Sequence, residues 1–247
     1  MDKTVKEFSG HSGSKIYLME NAQGLFVRKV NNIERNLERL TSLHGAGYNV
    51  PRIHHSEDNL IDMEYIHGLD MKNYLIHNTT TKLEDFIIET FSSFAKISVN
   101  KDYSGVYDKK LDWLKDNKEL PFTKDQLIEK LPKELPSSTY HGDLTLENII
   151  YAKSKFCMID AVSVEYDSYI FDIAKMRQDL ECKWFLRKTD VRLDIKLQNI
   201  QDKLRKLFPL AFNDNLLILM LLRVYLHTKS GDFEREFILR EIRRLWK

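Results

Sequence analysis

The chain has 247 residues, of which 43% are hydrophobic and 30% are charged, a composition typical of a folded protein of one or two domains. This composition excludes collagen, a long disordered tail and a small disulfide-rich scaffold. Basic and acidic residues nearly balance at a net charge of +1. We therefore expect no overall field that would draw the protein onto nucleic acid or an anionic membrane.

The cysteines and the apolar segments indicate the compartment. Only Cys157 and Cys182 occur, without the spacing of a disulfide framework or a zinc site. The first ten residues contain no apolar segment of signal-peptide length, and the longest apolar run, 216–222, ends at Arg223. We expect a cytoplasmic protein without a membrane span, and the sequence does not indicate its oligomeric state.

The first 66 residues predict a small antiparallel sheet with one helix. β-rich segments occur five times, and Asn21 and Gly24 suit a tight hairpin loop between the second and the third. The apolar spacing that follows the third strand predicts a helix over 32–44, which Gly45 and Gly47 would end. The predicted strands cover residues 4–8, 15–19, 25–30, 50–54 and 59–66.

Helical patterns dominate after residue 67. One helix is predicted over 83–99, short helices joined by loops over 100–138, and further helices from Ile170 onward. Two short strands, 149–152 and 156–159, interrupt this pattern. We therefore predict an α+β, bilobal fold with a small antiparallel-sheet N-lobe over 1–66 and a larger helical C-lobe over 67–247.

The densest chemical signal lies in the middle of the chain. His141-Gly142-Asp143 is followed five residues later by Asn148, and Asp160 comes at the end of the second short strand. An aspartate at the start of an irregular loop can accept a proton from a hydroxyl. An amide oxygen and a second carboxylate are hard ligands that suit Mg²⁺ with nucleotide phosphates. Capping of turns is the alternative role for these polar side chains.

These motifs resemble a known family. HGDLTLEN followed by MID is similar to the catalytic and metal-binding loops of the aminoglycoside phosphotransferase and choline kinase family of small-molecule kinases. The resemblance implies a protein-kinase-like fold, ATP or GTP with Mg²⁺ as cofactors, Asp143 as catalytic base, and Asn148 and Asp160 as metal ligands. Asp172 in FDIAKM resembles the aspartate that braces the catalytic loop. HGDLTLENII with DIAKM is most similar to the branch associated with bacterial surface-polysaccharide synthesis.

The N-terminal region offers residues for the nucleotide. The Gly/Ser-rich turn at 9–14 resembles a phosphate-covering hairpin, with Ser12, Gly13 and Ser14 as the expected contacts. It lacks the strict G-x-G-x-x-G pattern, and an ordinary turn is the alternative. Lys29 lies on the second strand after this turn, where the family keeps the lysine that holds the α- and β-phosphates. A solvated strand lysine is the alternative for this residue.

The predicted helix carries two glutamates that could pair with this lysine. If Ile33, Leu37 and Leu40 form the buried stripe, Glu34 lies beside it and Glu38 points further toward solvent. We therefore expect Glu34 to form the pair, although the resemblance allows other polar residues here.

The hinge and the acceptor pocket complete the expected site. The backbone of Glu64, Tyr65 and Ile66 should contact the adenine edge, with Met63 either at the rear of the pocket or in the core. The acceptor is a small-molecule hydroxyl, and the expected lining of its pocket includes Tyr166, Asp167 and Trp184.

The C-terminal third of the chain is basic. From residue 183 onward, 15 basic residues face 8 acidic ones, a net charge of +7. Arg187, Lys188 or Arg192 could therefore reach an acceptor that carries a carboxylate or a phosphate. Solvated helix surfaces are the alternative explanation for this charge.

Three functions compete for this sequence. A small-molecule kinase, acting on a sugar or polysaccharide precursor, is the first, and a nucleotide-binding pseudokinase or regulatory interaction module is the second. A protein kinase fits less well, because Gly142 stands where protein kinases usually have arginine. Only eleven residues separate Asp160 from Asp172, too few for a peptide-binding activation segment.

Overall fold

The structure is a computed structural model that describes residues 2–8 and 13–247. The chain divides into two compact units. The sheet unit comprises Met1–Tyr74 and Glu147–Val164, and the helical unit comprises Leu75–Leu146 and Glu165–Lys247. The two compact units differ from the expected division after residue 66, because residues 67–74 and 147–164 group with the N-terminal sheet. The lobe boundary itself stays a prediction.

The sheet unit is built on an antiparallel five-stranded sheet, with the strand order β1-β2-β3-β5-β4. The predicted order of three strands, a helix and two strands is confirmed. Strand β4 begins later than expected because Pro51 has no N–H to donate to a ladder. The elements are β1 Lys3–Phe8, β2 Lys15–Asn21, β3 Gly24–Val30, α1 Glu34–Gly45, β4 Ile53–Glu57 and β5 Leu60–Glu64.

The predicted hairpin loop between β2 and β3 is confirmed. Asn21 and Gly24 form the last pair of the ladder, and the Asn21 side chain accepts a hydrogen bond from the Gln23 N–H at 2.8 Å. Gly24 has a φ of 119°, a conformation that side-chain-bearing residues rarely adopt. The sequence of this turn therefore sets the register of the two strands.

A second, three-stranded sheet completes the sheet unit, in the order β10-β9-β6. The strands predicted around Lys153 and Ser154 are confirmed, and both turn residues have positive φ angles, 48° and 65°. A Cβ atom at Gly68 would overlap the Tyr151 carbonyl oxygen, so this approach of the chain to β9 requires glycine. The strands of this sheet are β6 Leu69–Asp70, β9 Ile149–Ala152 and β10 Lys155–Met158. The helix α2, Met71–His77, follows β6 and continues beyond the end of the sheet unit at Tyr74.

The helical unit packs around α6, whose residues from Ile170 to Leu180 are all buried. The apolar run 216–222 is a buried segment of α8, which packs against α6. The helices are α3 Thr81–Ala95, α4 Ser104–Lys110, α5 Lys124–Lys130, α6 Tyr169–Leu180, α7 Asp194–Leu207, α8 Asp214–Tyr225 and α9 Phe233–Leu245. Short 3₁₀ segments lie at Asp112–Asp116, Leu146–Asn148, Trp184–Leu186 and Pro209–Phe212.

One prediction for the helical unit is wrong. The helix expected over 83–99 ends at Ala95, and β7, Ser98–Asp102, pairs antiparallel with β8, Glu134–Ser138. Ile97 and Val99, which lie within the predicted helical range, are 82% and 73% exposed. The partner strand lies more than thirty residues downstream, and local periodicity does not register such a pairing.

Within the part of the chain that the structure describes, no helix combines the length and the apolar character needed to cross a bilayer. Cys157, on β10, and Cys182, after α6, are both free and buried. Burial raises the pKa of each thiol to about 12.

Candidate active site

In the helical unit, Asp172 braces the loop that carries Asp143, as the resemblance implies. The Ser168 hydroxyl accepts a hydrogen bond from the Ile170 N–H at 3.2 Å and caps the start of α6, which brings Asp172 into the first turn. The buried Asp172 carboxylate accepts hydrogen bonds from the backbone N–H groups of His141 and of Gly142, the latter at 2.9 Å. The helix thus fixes the backbone immediately before Asp143.

Burial raises the pKa of Asp172 to about 6, and the backbone hydrogen bonds to the carboxylate limit this rise. At neutral pH the group is therefore mainly ionised and able to accept both N–H donors. Gly142 has a φ of 93°, which a glycine adopts without strain. The brace and the glycine together explain why the HGD sequence forms this loop.

Asp143 is held by two cations. Its Oδ1 atom lies 3.2 Å from Nζ of Lys175 on α6 and 3.7 Å from Nη2 of Arg223 on α8. Burial acts to raise the pKa of Asp143, but the charges of Lys175 and Arg223 outweigh it and hold this pKa below its ordinary value. The lowered pKa keeps the carboxylate ionised, and the carboxylate is accessible because 32% of the side chain is exposed.

A second brace holds the far end of the same loop. The buried carboxylate of Asp179 accepts hydrogen bonds from the backbone N–H of Leu146 at 2.7 Å and of Phe185 at 3.1 Å. Asp172, Lys175 and Asp179 follow one another at spacings of three and four residues, so one face of α6 serves the loop. Lys175 and Asp179 were not predicted from the sequence, although this spacing could have revealed them. Arg223 was not predicted either, since no local pattern indicates its role.

In the sheet unit, Lys29 forms an ion pair with Asp160, with Nζ 2.7 Å from Oδ1. Lys29 is buried on β3, whereas 44% of the Asp160 side chain is exposed. Asp160 has a φ of 57°, which for a non-glycine residue is a strained conformation that aims the side chain. The structure thus brings together the lysine and the second carboxylate predicted from the sequence.

The side chain of Asn36 on α1 joins this pair. Its amide donates to Asp160 Oδ1 at 3.2 Å and to the Ala161 carbonyl at 2.7 Å. Ile33, Asn36, Leu40 and Leu43 form the buried face of α1. Their spacings of three and four residues are visible in the sequence, so Asn36 could have been identified from its alignment with this stripe.

Glu34 does not meet Lys29 in the structure, contrary to expectation. Glu34 begins α1 and is exposed, as is Glu38. The buried stripe passes through position 36 and not position 37 as assumed, which rotates both glutamates away from β3. The lysine therefore pairs with the strand-end aspartate, and the helix contributes an amide.

Asn148 ends a 3₁₀ segment and is half-buried, and its carbonyl accepts a hydrogen bond from the Ile159 N–H at 2.9 Å. This bond ties Asn148 to the chain next to Asp160 within the sheet unit. Their amide and carboxylate oxygens are hard donors, so the chemistry of the set fits Mg²⁺. Among the described residues, no three or more His, Cys, Asp or Glu side chains group to hold a metal ion.

The other expected nucleotide contacts are placed as follows. Ser12 lies outside the described residues, Gly13 has a φ of 76°, and Ser14 is buried. In the expected hinge, the Glu64 N–H donates to the Arg52 carbonyl at 2.8 Å. The hinge residues Glu64, Tyr65 and Ile66 are half-buried, and Met63 is buried. Their contacts with a nucleotide stay predictions.

Several residues expected near the acceptor already have protein partners. The Asp167 carboxylate accepts hydrogen bonds from the Lys101 ammonium at 2.7 Å and from the Tyr103 hydroxyl at 2.9 Å. Arg187 and Lys188 form ion pairs with Glu234, at 2.9 and 2.8 Å. Tyr166 and Trp184 are buried in the helical unit, where Arg187 stacks on the Trp184 ring.

A sequence model of the phosphotransferase enzyme family matches residues 5–206. A Haemophilus somnus 129PT protein assigned as a fructosamine-3-kinase has a similar structure, with a TM-score of 0.67 and 14% identity, over 100% of this chain and 92% of that one. Aminoglycoside phosphotransferase APH(4)-Ia, in a ternary complex with ADP and hygromycin B, has a TM-score of 0.66 at 10% identity, over 97% of this chain and 92% of that one.

A choline/ethanolamine kinase family protein from Mesorhizobium loti is also similar, with a TM-score of 0.61 and 13% identity, over 97% of this chain and 86% of that one. At such identities, these likenesses show the α+β fold of protein-kinase-like small-molecule kinases. No curated protein sequence matches the chain.

Proposed function

Because this chain belongs to the phosphotransferase enzyme family, we propose that it transfers the γ-phosphoryl group of ATP or GTP to a hydroxyl of a small molecule, such as a sugar or polysaccharide precursor. The observation that carries this proposal is the state of Asp143, an accessible and ionised carboxylate on a loop braced by Asp172. Structural carboxylates such as Asp172 and Asp179 are instead buried against backbone N–H groups.

The acceptor hydroxyl forms the new bond in this reaction. Its oxygen attacks the γ-phosphorus while the bond from that phosphorus to the bridging oxygen of the β-phosphate breaks, and ADP or GDP leaves with the electron pair. The hydroxyl proton passes to a carboxylate oxygen of Asp143. Because the pKa of Asp143 is low, proton transfer comes late, and the main task of this residue is to orient the hydroxyl.

The residues of the sheet unit bind the nucleotide phosphates. The Lys29 ammonium holds the α- and β-phosphates, a role that fits its burial on β3 and its fixed position beside Asp160. Asn148 and Asp160 would hold Mg²⁺, which when bound neutralises phosphate charge. The exposed fraction of the Asp160 side chain leaves this carboxylate accessible for that role.

A screen of acceptors tests the proposal. The full chain is incubated with Mg²⁺ and ATP or GTP, and sugars, amino alcohols and antibiotics are compared for ADP or GDP release. Asp143→Asn should lose at least ~10²-fold in turnover with any acceptor found, since the amide cannot accept the proton, while nucleotide affinity stays nearly unchanged.

Asp125→Asn, the same change at an exposed position of α5, is the matched control and should behave like the parent. Equal turnover of Asp143→Asn and the parent would contradict the assignment of the base. Absence of nucleotide binding and of nucleotide turnover with every acceptor class would contradict the proposed function itself.

A further inference from the structure

Two positively charged side chains lie beside the catalytic carboxylate. Lys175 and Arg223 both lie within ion-pair distance of the one Oδ1 atom of Asp143. The neighbouring carboxylate, Asp172, is compensated by the backbone N–H groups of His141 and Gly142. Within the described residues, no ion pair joins Asp172 to either cation, although the charge of Arg223 also lowers the pKa of Asp172.

The two cations differ in how much of their hydrogen-bonding capacity is used. Lys175 is buried, with 6% of its side chain exposed, and its ammonium is directed to Asp143. This contact orients the carboxylate and favours its ionised form. Lys175 is therefore a positioning residue for the base.

Arg223 uses a smaller part of its hydrogen-bonding capacity. At 3.7 Å its Nη2 atom is too far from Asp143 for a hydrogen bond, and it donates instead to the Gly142 carbonyl at 3.0 Å. Nη1 lies 3.6 Å from the sulfur of Met220, a weak acceptor. A guanidinium has five N–H donors, and 25% of this side chain is exposed. It can therefore bind a further anionic group beside Asp143.

We propose that Arg223 recognises an anionic group on the acceptor, so that the substrate is a hydroxyl compound bearing a carboxylate or a phosphate. The inference rests on the proposed function, because it places the acceptor hydroxyl at Asp143. An ammonium group on the acceptor would meet repulsion from Arg223 and Lys175 and would find the adjacent carboxylate already paired. The same arrangement therefore disfavours cationic acceptors.

Arg223 is a different residue from those first expected to bind an anion, which were Arg187, Lys188 or Arg192. Arg187 and Lys188 both already pair with Glu234. Arg223 belongs to the same basic region of the sequence but faces the catalytic loop.

Two series of hydroxyl compounds that differ in charge test the proposal. The first comprises glucose, glucuronate and glucosamine, and the second comprises glycerol, glycerate, glycerol phosphate and serinol. ADP and GDP release is measured with Mg²⁺ and nucleotide, and binding to the protein saturated with Mg²⁺ and ADP is measured by calorimetry. Glycerate and glycerol phosphate distinguish a carboxylate from a phosphate as the preferred group.

In at least one series, the anionic member should exceed its neutral and cationic counterparts by about 10-fold or more in kcat/KM or in affinity. Arg223→Gln should remove this preference. Because it also removes a charge and a hydrogen bond from the loop of Asp143, kcat/KM should fall for every acceptor, but about 10-fold more for the anionic member than for the neutral one. Arg240→Gln, the same change at an exposed arginine paired with Glu241, should keep the preference.

The proposal is overturned if no anionic compound is preferred in turnover or in binding, or if Arg223→Gln keeps a preference that the parent shows. Turnover that favours neutral or cationic acceptors rejects the inference alone. Absence of nucleotide turnover with every acceptor class rejects the proposed function. Calorimetry with the parent and Arg223→Gln then still tests whether Arg223 binds the anionic compounds.

Discussion

A buried lysine holds an aspartate in each of the two units, but the surroundings of the two pairs differ. In the sheet unit, the neutral amide of Asn36 joins Lys29 at Oδ1 of Asp160. In the helical unit, two cations face Asp143. The first arrangement leaves Asp160 accessible to a metal cation, whereas the second favours the ionised form of the base.

The largest effect should come from removing the cation of the sheet unit. Lys29→Met is expected to lower kcat/KM for nucleotide about 100-fold, because a preorganised charge at the phosphates is lost. Initial rates at varied ATP and GTP measure the loss. Lys3→Met, on the exposed strand β1, is the control. A lysine variant with unchanged nucleotide kinetics would show that the pair with Asp160 is only structural.

Removing the corresponding cation of the helical unit should have a smaller effect and a different signature. In Lys175→Met, the charges of Arg223 and of His141 still lower the pKa of Asp143, while burial opposes them. The pKa of Asp143 should rise, and turnover should fall by about 10-fold because the carboxylate is less well oriented. Because the base must be ionised, the acidic limb of the pH profile of kcat/KM should move to higher pH.

Lys175→Arg restores the charge and should return the limb toward its original pH. A loss of activity without movement of the pH profile in Lys175→Met would indicate that Lys175 supports only the fold. The charge of Lys175 would then have no effect on the ionisation of Asp143.

The smallest expected effect concerns the amide that distinguishes the sheet-unit pair. Asn36→Ala removes hydrogen bonds to Asp160 and to the Ala161 carbonyl, which should lower the free energy of unfolding by about 1–3 kcal/mol. Affinity for Mg²⁺ and ATP should weaken a few-fold, since Asp160 is less well oriented. Urea unfolding and nucleotide titration measure the two effects.

Glu34→Gln is the matched control on the same helix, and because Glu34 is exposed it should change neither quantity. The reverse result, with an effect at Glu34 and none at Asn36, would restore the pairing first predicted from the sequence.

The sequence predicts residues that lie within a continuous motif better than partners from other elements. The HGD loop, the strands around the Lys153 turn and the brace from Asp172 follow from local spacing and the family resemblance. Lys29 was predicted, but the groups that it meets were not. The buried face of α1 includes position 36 and not position 37 as predicted, so the helix contributes Asn36 and not Glu34. Such a rotation depends on tertiary packing against the sheet.

Arg223 illustrates the stronger limit. It lies eighty residues beyond Asp143, at the end of an apolar helix, and nothing in its sequence neighbourhood distinguishes it from the other basic residues of the C-terminal third. Strand β7 was missed for a similar reason, since its pairing with β8 is non-local. Charge counted along the sequence located a basic region but not the residue within it that faces the base.

Each of the two units contains a buried cysteine, and alkylation of that cysteine can report local opening of its unit. Cys157 belongs to the sheet unit and Cys182 to the helical unit. With pKa values of about 12, only about one thiol in ten thousand is ionised at pH 8, so folded protein should resist alkylation. Reaction with iodoacetamide then requires local opening, and mass spectrometry of the two cysteine peptides separates the opening rates of the two units within a single unmodified chain.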